Sequence, residues 1–204
     1  MRRLAQELDT GPASIYVYFA STAALHAAIL DQIIVNVWVD ARPRKATWDS
    51  SVIRTLREYT VTLYGYPSLA RSAMTLRPAG PNHLKLFDGL LYAMRLGGIA
   101  RRPAAWGVDV LLQSATAMAC EQSGRDESVD AVQEEHPLAT ALHGTTARSH
   151  PGLAWAESEL FSGTGQQRLE FSLRMHLAGI AALSGDDSGR DTSTRQDATG
   201  RPGE

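Results

Sequence analysis

The residues best placed to do chemistry lie at the start of the chain, and their chemistry is binding to a polyanion rather than bond making. Arg2 and Arg3 form a cationic pair able to neutralise phosphates. Downstream runs Pro12-Ala13-Ser14-Ile15-Tyr16-Val17-Tyr18-Phe19. Ile15 and Phe19, four apart, share one face of a helix and point inward. Ser14, Val17 and Tyr18 are left on the outer face, with Tyr16 beside the preceding helix or at the rim. Ala13 and Ser14 are small enough for close approach to base edges, and tyrosine hydroxyls can donate to phosphate oxygens. Leu4, Ala5 and Leu8 give a short helix to hold these residues, and Gly11 sits where a positive φ would let the chain reverse. Pro12 suits the first turn of the second helix. Two short helices around a glycine-containing break have the layout of a helix-turn-helix, which sets its second helix in the major groove.

Enzyme chemistry finds little support. The sequence has no glycine-rich phosphate loop after a strand, no metal-spaced Cys/His cluster and no nucleophile elbow. Glu157 and Glu159 lie two apart and do not share a helix face. Cys120 sits between Ala119 and Glu121 on an expected packing helix, which favours an inert thiol. His136, His143 and His150 recur every seven residues, but Pro137, Gly144 and Pro151 interrupt any helix, so surface histidines are expected rather than a metal site. The expectation is a non-enzyme with no cofactor and no metal.

The 204 residues are 44% hydrophobic, enough to bury a substantial core, and the formal net charge is −2. Residues 1–45 hold five Lys/Arg against four Asp/Glu, a net of +1, which is a thin electrostatic footprint for nucleic acid. One cysteine rules out an internal disulfide and fits a reducing, cytoplasmic setting. No signal peptide is expected, and no apolar run approaches the ~18 residues of a membrane span.

The run RRLAQELDTGPASIYVYFASTAAL resembles the DNA-binding motif of the TetR family of transcription regulators. Leu4-Ala5, Leu8, Ile15-Tyr16, Tyr18-Phe19, Ser21 and Leu25 match in type and spacing over about an eighth of the chain. Phe161 through Leu183 resembles the last helix of that family's regulatory domain. The chain departs from the pattern in Asp9-Thr10, where Gly-Val is common, and in Thr22, where a lysine usually meets phosphate. The family also begins with a helix of about a dozen residues ahead of this point, so a start upstream of Met1 is expected.

The resemblance implies an all-α protein with a helix-turn-helix and connecting helix over residues 1–41 and a regulatory, ligand-binding and dimerisation domain over 42–184. A disordered tail is expected over 185–204, which lacks Leu, Ile, Val, Met and aromatic residues. Periodicity predicts helices over 22–41, 48–64, 67–74 and 82–97, the last with Leu84, Phe87, Leu91 and Met94 on one face. Glu121, Asp126, Glu127, Asp130, Glu134 and Glu135 suggest a solvated loop with a helical turn or two. Helices 103–121 and 165–184 are apolar on more than one side. Burial within a monomer explains that pattern as well as a dimer does, and the resemblance turns the choice to a homodimer through both. It also implies an effector cavity, for which the aromatic and Met-rich candidates are Leu56, Tyr59, Leu63, Tyr64, Met74, Phe87, Leu90, Tyr92, Met94, Trp106 and Trp155. The function implied is a regulator, expected to be a repressor, that holds double-stranded operator DNA through Arg2, Arg3, Pro12, Ala13, Ser14, Tyr16, Val17 and Tyr18. A small hydrophobic or aromatic effector releases it. The alternative is a helical ligand-binding or interaction protein without operator binding.

Overall fold

The computed structural model describes residues 2–76, 78–127, 140–142 and 144–196, and every regular element among them is helical. The chain opens with α1 (Arg2–Glu7), α2 (Pro12–Tyr18) and α3 (Thr22–Ile33). The turn between α1 and α2 does not use glycine as expected. Asp9 takes the left-handed conformation, φ 48°, while Gly11 is extended at φ −80° and precedes α2 as its N-cap. Thr10 N–H donates to Ala5 O at 2.9 Å and Asp9 N–H to Gln6 O at 3.1 Å. This is the paired closure of a helix C-terminus that usually carries glycine, here carried by an aspartate, one of the few other residues that tolerate that region. Ser21 then caps α3, its Oγ accepting from Ala24 N–H at 3.1 Å.

Ala5, Ile15 and Leu25 make a small core of their own, with Leu4 and Phe19 packed against it. Leu8 was expected on the inner face but is 61% exposed, although its N–H still donates to Leu4 O at 3.0 Å in the last turn of α1. Helix α3 also ends early. It gives way to a 3-10 turn, Ile34–Asn36, instead of running to residue 41. Past that turn the chain is held by tertiary contacts that a continuous helix could not make. Glu58 accepts Trp38 N–H at 3.0 Å, Arg54 lies 4.0 Å over the Trp38 ring, and Ser51 Oγ donates to Asp40 at 2.8 Å.

The larger body comprises α4 (Trp48–Tyr64), α5 (Pro67–Ala73), α6 (Pro81–Leu96), α7 (Arg101–Glu127), α8 (Pro151–Ala156), a 3-10 segment Glu157–Phe161, and α9 (Gly165–Gln196). Helix α4 lies at its centre, packed against α5, α6, α7 and α9. Val52, Ile53, Leu56, Thr60 and Leu63 are all buried, as their spacing requires. Helix α6 keeps Phe87, Leu91 and Met94 of its expected face against the core. His83, Leu86, Leu90, Ala93 and Met94 are buried while Leu84 is exposed, because leucines on several sides leave its inner face undetermined by pattern. Gly98 stops α6 at φ +85°, and any side chain on Gly97 would run into the Trp48 indole.

Helix α7 continues through Glu127, taking in residues expected as a loop. Asp130, Glu134, Glu135, His136 and His143 lie outside the described residues, and His150 is exposed. Helix α9 extends to Gln196, past the residue-184 limit of the expected ordered chain, and 197–204 lie outside the described residues. Helices α7 and α9 pack extensively on each other, and Ser184 Oγ accepts Ala100 N–H at 2.6 Å. Among the described residues, no helix is long and apolar enough to cross a membrane.

Leu56 is fully buried in α4, whereas Val61 on the same helix is mostly exposed. Leu56→Ala should destabilise the protein by about 2–5 kcal/mol and Val61→Ala by less than about 0.5. Urea unfolding midpoints at unchanged m-value read the difference.

Candidate DNA-reading face and ligand cavity

Helix α2 rests on the small core through Ile15, with half-buried Phe19 just after it, and presents residues 13, 14 and 16–18 to solvent. Val17 is 78% and Tyr18 82% exposed, and Ala13, Ser14 and Tyr16 are exposed beside them. Pro12 opens the helix, and Arg2 and Arg3 are exposed on α1. Exposed aromatic and β-branched side chains are costly on an isolated surface. Beside hydroxyls and a cationic pair, they suit contact with sugar, phosphate and thymine methyl groups.

A half-open cavity of about 340 Å³ lies between α3 and the larger body. Leu30 of α3 and Tyr59 of α4 line it, with Ala73, Met74, Thr75 and Leu76 from the end of α5. Pro78, Ala79, His83, Leu84 and Phe87 bring the start of α6, and Asp109, Leu112, Gln113 and Thr116 bring α7. Of the expected ligand residues, Tyr59, Met74 and Phe87 come together here. Leu56, Leu63, Leu90 and Met94 are buried in the core. Tyr64 borders a second hollow between α4, α7 and α9, together with Arg57, Gln122 and Leu169. Tyr92 is exposed on α6. Trp106 and Trp155, 69% and 89% exposed, lie on the surface and line neither hollow. Their aromatic character suggested a pocket, but it does not reveal which side of a helix faces inward. Leu30, His83, Asp109, Gln113 and Thr116 were missed, because long-range packing selects them.

Two pairs of polar groups line the cavity, one buried and one at its exposed edge. Tyr59 Oη and Thr116 Oγ1 lie 3.1 Å apart, and Gln113 Nε2 donates to Asp109 at 2.8 Å. Burial pushes the Tyr59 hydroxyl above its usual pKa, with the Thr116 hydrogen bond opposing. His83 is buried at the cavity wall, its ring 4.9 Å from that of Phe87. Its Nδ1 has no hydrogen-bond partner among the described residues. Burial lowers the His83 pKa, and the nearby Asp31 carboxylate works against that shift.

Asp31 itself is buried on α3, next in sequence to cavity residue Leu30. Its Oδ1 accepts His83 N–H at 2.8 Å, and its Oδ2 accepts Asn82 Nδ2 at 3.0 Å. The start of α6 is thereby held on α3. A carboxylate in the apolar stretch Ala27-Ala28-Ile29-Leu30 to Ile33-Ile34 was the available signal for this contact, since a buried charge needs partners.

An exposed two-helix face joined by a continuous helix to a cavity-bearing helical domain has the layout of a transcription regulator. Residues 42–184 match the tetracyclin repressor-like C-terminal domain. ActR from Streptomyces coelicolor is 33% identical, with 91% of this chain and 87% of that one covered at a TM-score of 0.79. ActR in complex with actinorhodin aligns over the same shares with a TM-score of 0.80 and 31% identity. The Streptomyces transcription regulator SCO7704 is 39% identical over 88% of this chain and 83% of its own, with a TM-score of 0.71. None of the curated proteins matches the chain. The chain belongs to the TetR family of transcription regulators.

The His83 shift has a defined sign. Its folded-state pKa lies below the ordinary 6.5, so the unfolded chain binds a proton first as pH falls. This contribution to stability is fully present above about pH 6.5, declines as pH drops through that value, and levels off below the folded-state pKa. Unfolding free energies between pH 5 and 8 should show His83→Gln losing this slope relative to the parent protein. Equal slopes would exclude it.

Proposed function

We propose that the protein is a dimeric repressor that holds a roughly palindromic operator and releases it on binding a small hydrophobic or aromatic effector. The observation that carries this reading is the joining of two features on one helix. Helix α3 packs against the reading unit through Leu25 and lines the cavity through Leu30. A ligand that favours one setting of α3 over another changes operator affinity by coupled equilibria. The apolar lining, with hydroxyls and one amide–carboxylate pair, suits a planar or aliphatic compound with a few polar groups. Actinorhodin, which ActR binds in its solved complex, is the first compound to test.

Dimerisation through residues 103–121 and 165–184 is supported by the second apolar side of both helices. Leu169, Leu173, Leu177 and Ile180 are buried on α9, while Phe171 is 70% exposed and Met175 and Leu183 are also exposed. Trp106 and Val110 stand outward on α7. Pairing both helices with a two-fold copy covers this surface and sets two α2 helices for successive major grooves, about 34–36 Å apart. A helical ligand-binding protein without operator affinity is the second reading, favoured by Thr22 in place of a lysine and by the net charge of only +1 over residues 1–45.

Fluorescence anisotropy with the intergenic DNA upstream of the gene separates the two readings, using the protein expressed from its genomic reading frame. Specific, salt-sensitive binding is expected. Val17→Glu should weaken it at least about tenfold, and Arg3→Ala should lower the salt slope by about one. The absence of a specific complex selects the second reading. Sedimentation of Phe171→Asp should show monomers where the parent protein is a dimer, and an unchanged dimer would place the interface elsewhere.

A further inference from the structure

We propose that Asp31 is the positioning residue through which the ligand domain sets the DNA-reading unit, and that it does so by gripping the first turn of α6. This rests on the operator-binding reading above and names the contact that transmits it.

The geometry is specific. Asp31 is buried, and both of its carboxylate oxygens are directed at α6. Asn82 N–H adds a longer contact to Oδ2 at 3.4 Å. The start of a helix carries unpaired N–H groups and a partial positive charge, so an acceptor with full negative charge is held there more firmly than a neutral one. Gly80 completes the fit, since any side chain at that position would occupy the space of the Asp31 carboxylate. On α6 the same residue serves both sides of the wall. His83 lines the cavity, and its main-chain N–H donates to Asp31. On α3, Leu30 lines the cavity and its neighbour Asp31 makes the grip. Whatever moves His83 from inside the cavity therefore acts on the carboxylate. The carboxylate lies about 1.7 turns along the helix from Leu25, the α3 residue in the core beneath α2.

The role differs from that of an ordinary buried contact, and two readouts on the full chain separate them. The first is hydrogen exchange without DNA or ligand. In Asp31→Ala, the His83 amide and the amides of 22–33 should exchange about tenfold faster or more, while 52–63 and 108–119 keep parent protection. The second is operator affinity, which should weaken about tenfold, within the usual range of coupling between sites. Asp31→Asn keeps an acceptor for His83 N–H but loses the charge, and it should fall between. Gly80→Ala displaces the carboxylate from the α6 side and should reproduce Asp31→Ala. A merely structural role would loosen the whole core or leave the order of the variants random. Parent-like exchange at His83 in Asp31→Ala overturns the proposal. So does faster exchange at His83 with 22–33 and operator affinity unchanged. If the parent protein forms no specific operator complex, the DNA-binding reading fails on its own, and the exchange pattern alone upholds or overturns the grip of Asp31 on α6.

Discussion

Leu25 and Leu30 are five residues apart on one helix, and each belongs to a different hydrophobic core. That spacing is a rise of about 7.5 Å along a hydrogen-bonded rod. The reading unit and the ligand domain therefore meet in an element rather than a linker. A helix turn is stiff compared with packed side chains, so a displacement at Leu30 reaches Leu25 with little loss. Beyond the helix, Glu58 holds Trp38 and Asp40 receives Ser51, so the chain leaving α3 is fastened to α4 as well. The architecture follows from this double membership. A small core that packs only one face of α2 leaves the opposite face to solvent, and the larger core supplies the fixed body against which α3 is set.

Apolar contacts alone would define that setting loosely, because dispersion and burial change little when side chains slide by a few tenths of an ångström. Hydrogen bonds do not behave in this way. Their strength falls steeply with distance and angle, more so where the surroundings are low in dielectric. A buried carboxylate also costs several kcal/mol unless it is fully partnered, so Asp31 strongly disfavours settings of α3 in which its oxygens miss the start of α6. The same charge that would be a liability in a core thus selects one register for the joint.

The sequence made parts of this legible and hid others for physical reasons. The two-helix unit could be read because its determinants are local. Ile15 and Phe19 fall on one helix face, Pro12 opens α2, and Ser21 caps α3. Helix α4 could be read because Val52, Ile53, Leu56, Thr60 and Leu63 leave one inner face. The turn was misread because Asp9, not Gly11, carries the positive φ, and an aspartate there depends on hydrogen bonds back into α1. Helix α6 was read in part: Met94 is buried and Phe87 and Leu91 pack on the core, but leucines at 84, 86, 90, 91 and 96 give no single stripe, and Leu84 is exposed. The cavity was legible only as a kind of lining. Tyr59 meets Thr116 across 57 positions of sequence, and no local pattern encodes such a pairing. Trp106 and Trp155 were drawn in by composition and lie outside, because an aromatic side chain suits a pocket and an interface equally.

The cavity walls differ in how firmly they are packed. The space is about 340 Å³ and open to solvent beside Met74, Thr75, Ala79 and Leu84, so a larger occupant can extend outward there or press that wall aside. The α7 wall is the stiffer one. Helix α7 is packed by α4 on one side and α9 on another, with Val108, Leu111, Ala115 and Ala119 buried along it. Opposite lie the end of α5 and the start of α6, where Met74, Thr75, Ala79 and Leu84 are exposed and the backbone between helices is irregular. Fewer buried contacts oppose movement there. A ligand shifts an equilibrium only by the difference in its affinity for the two states, and that difference is largest where the wall changes most. The less tightly packed wall includes the start of α6 that Asp31 holds, so under the proposed coupling an occupant that moves this wall acts on the joint with α3.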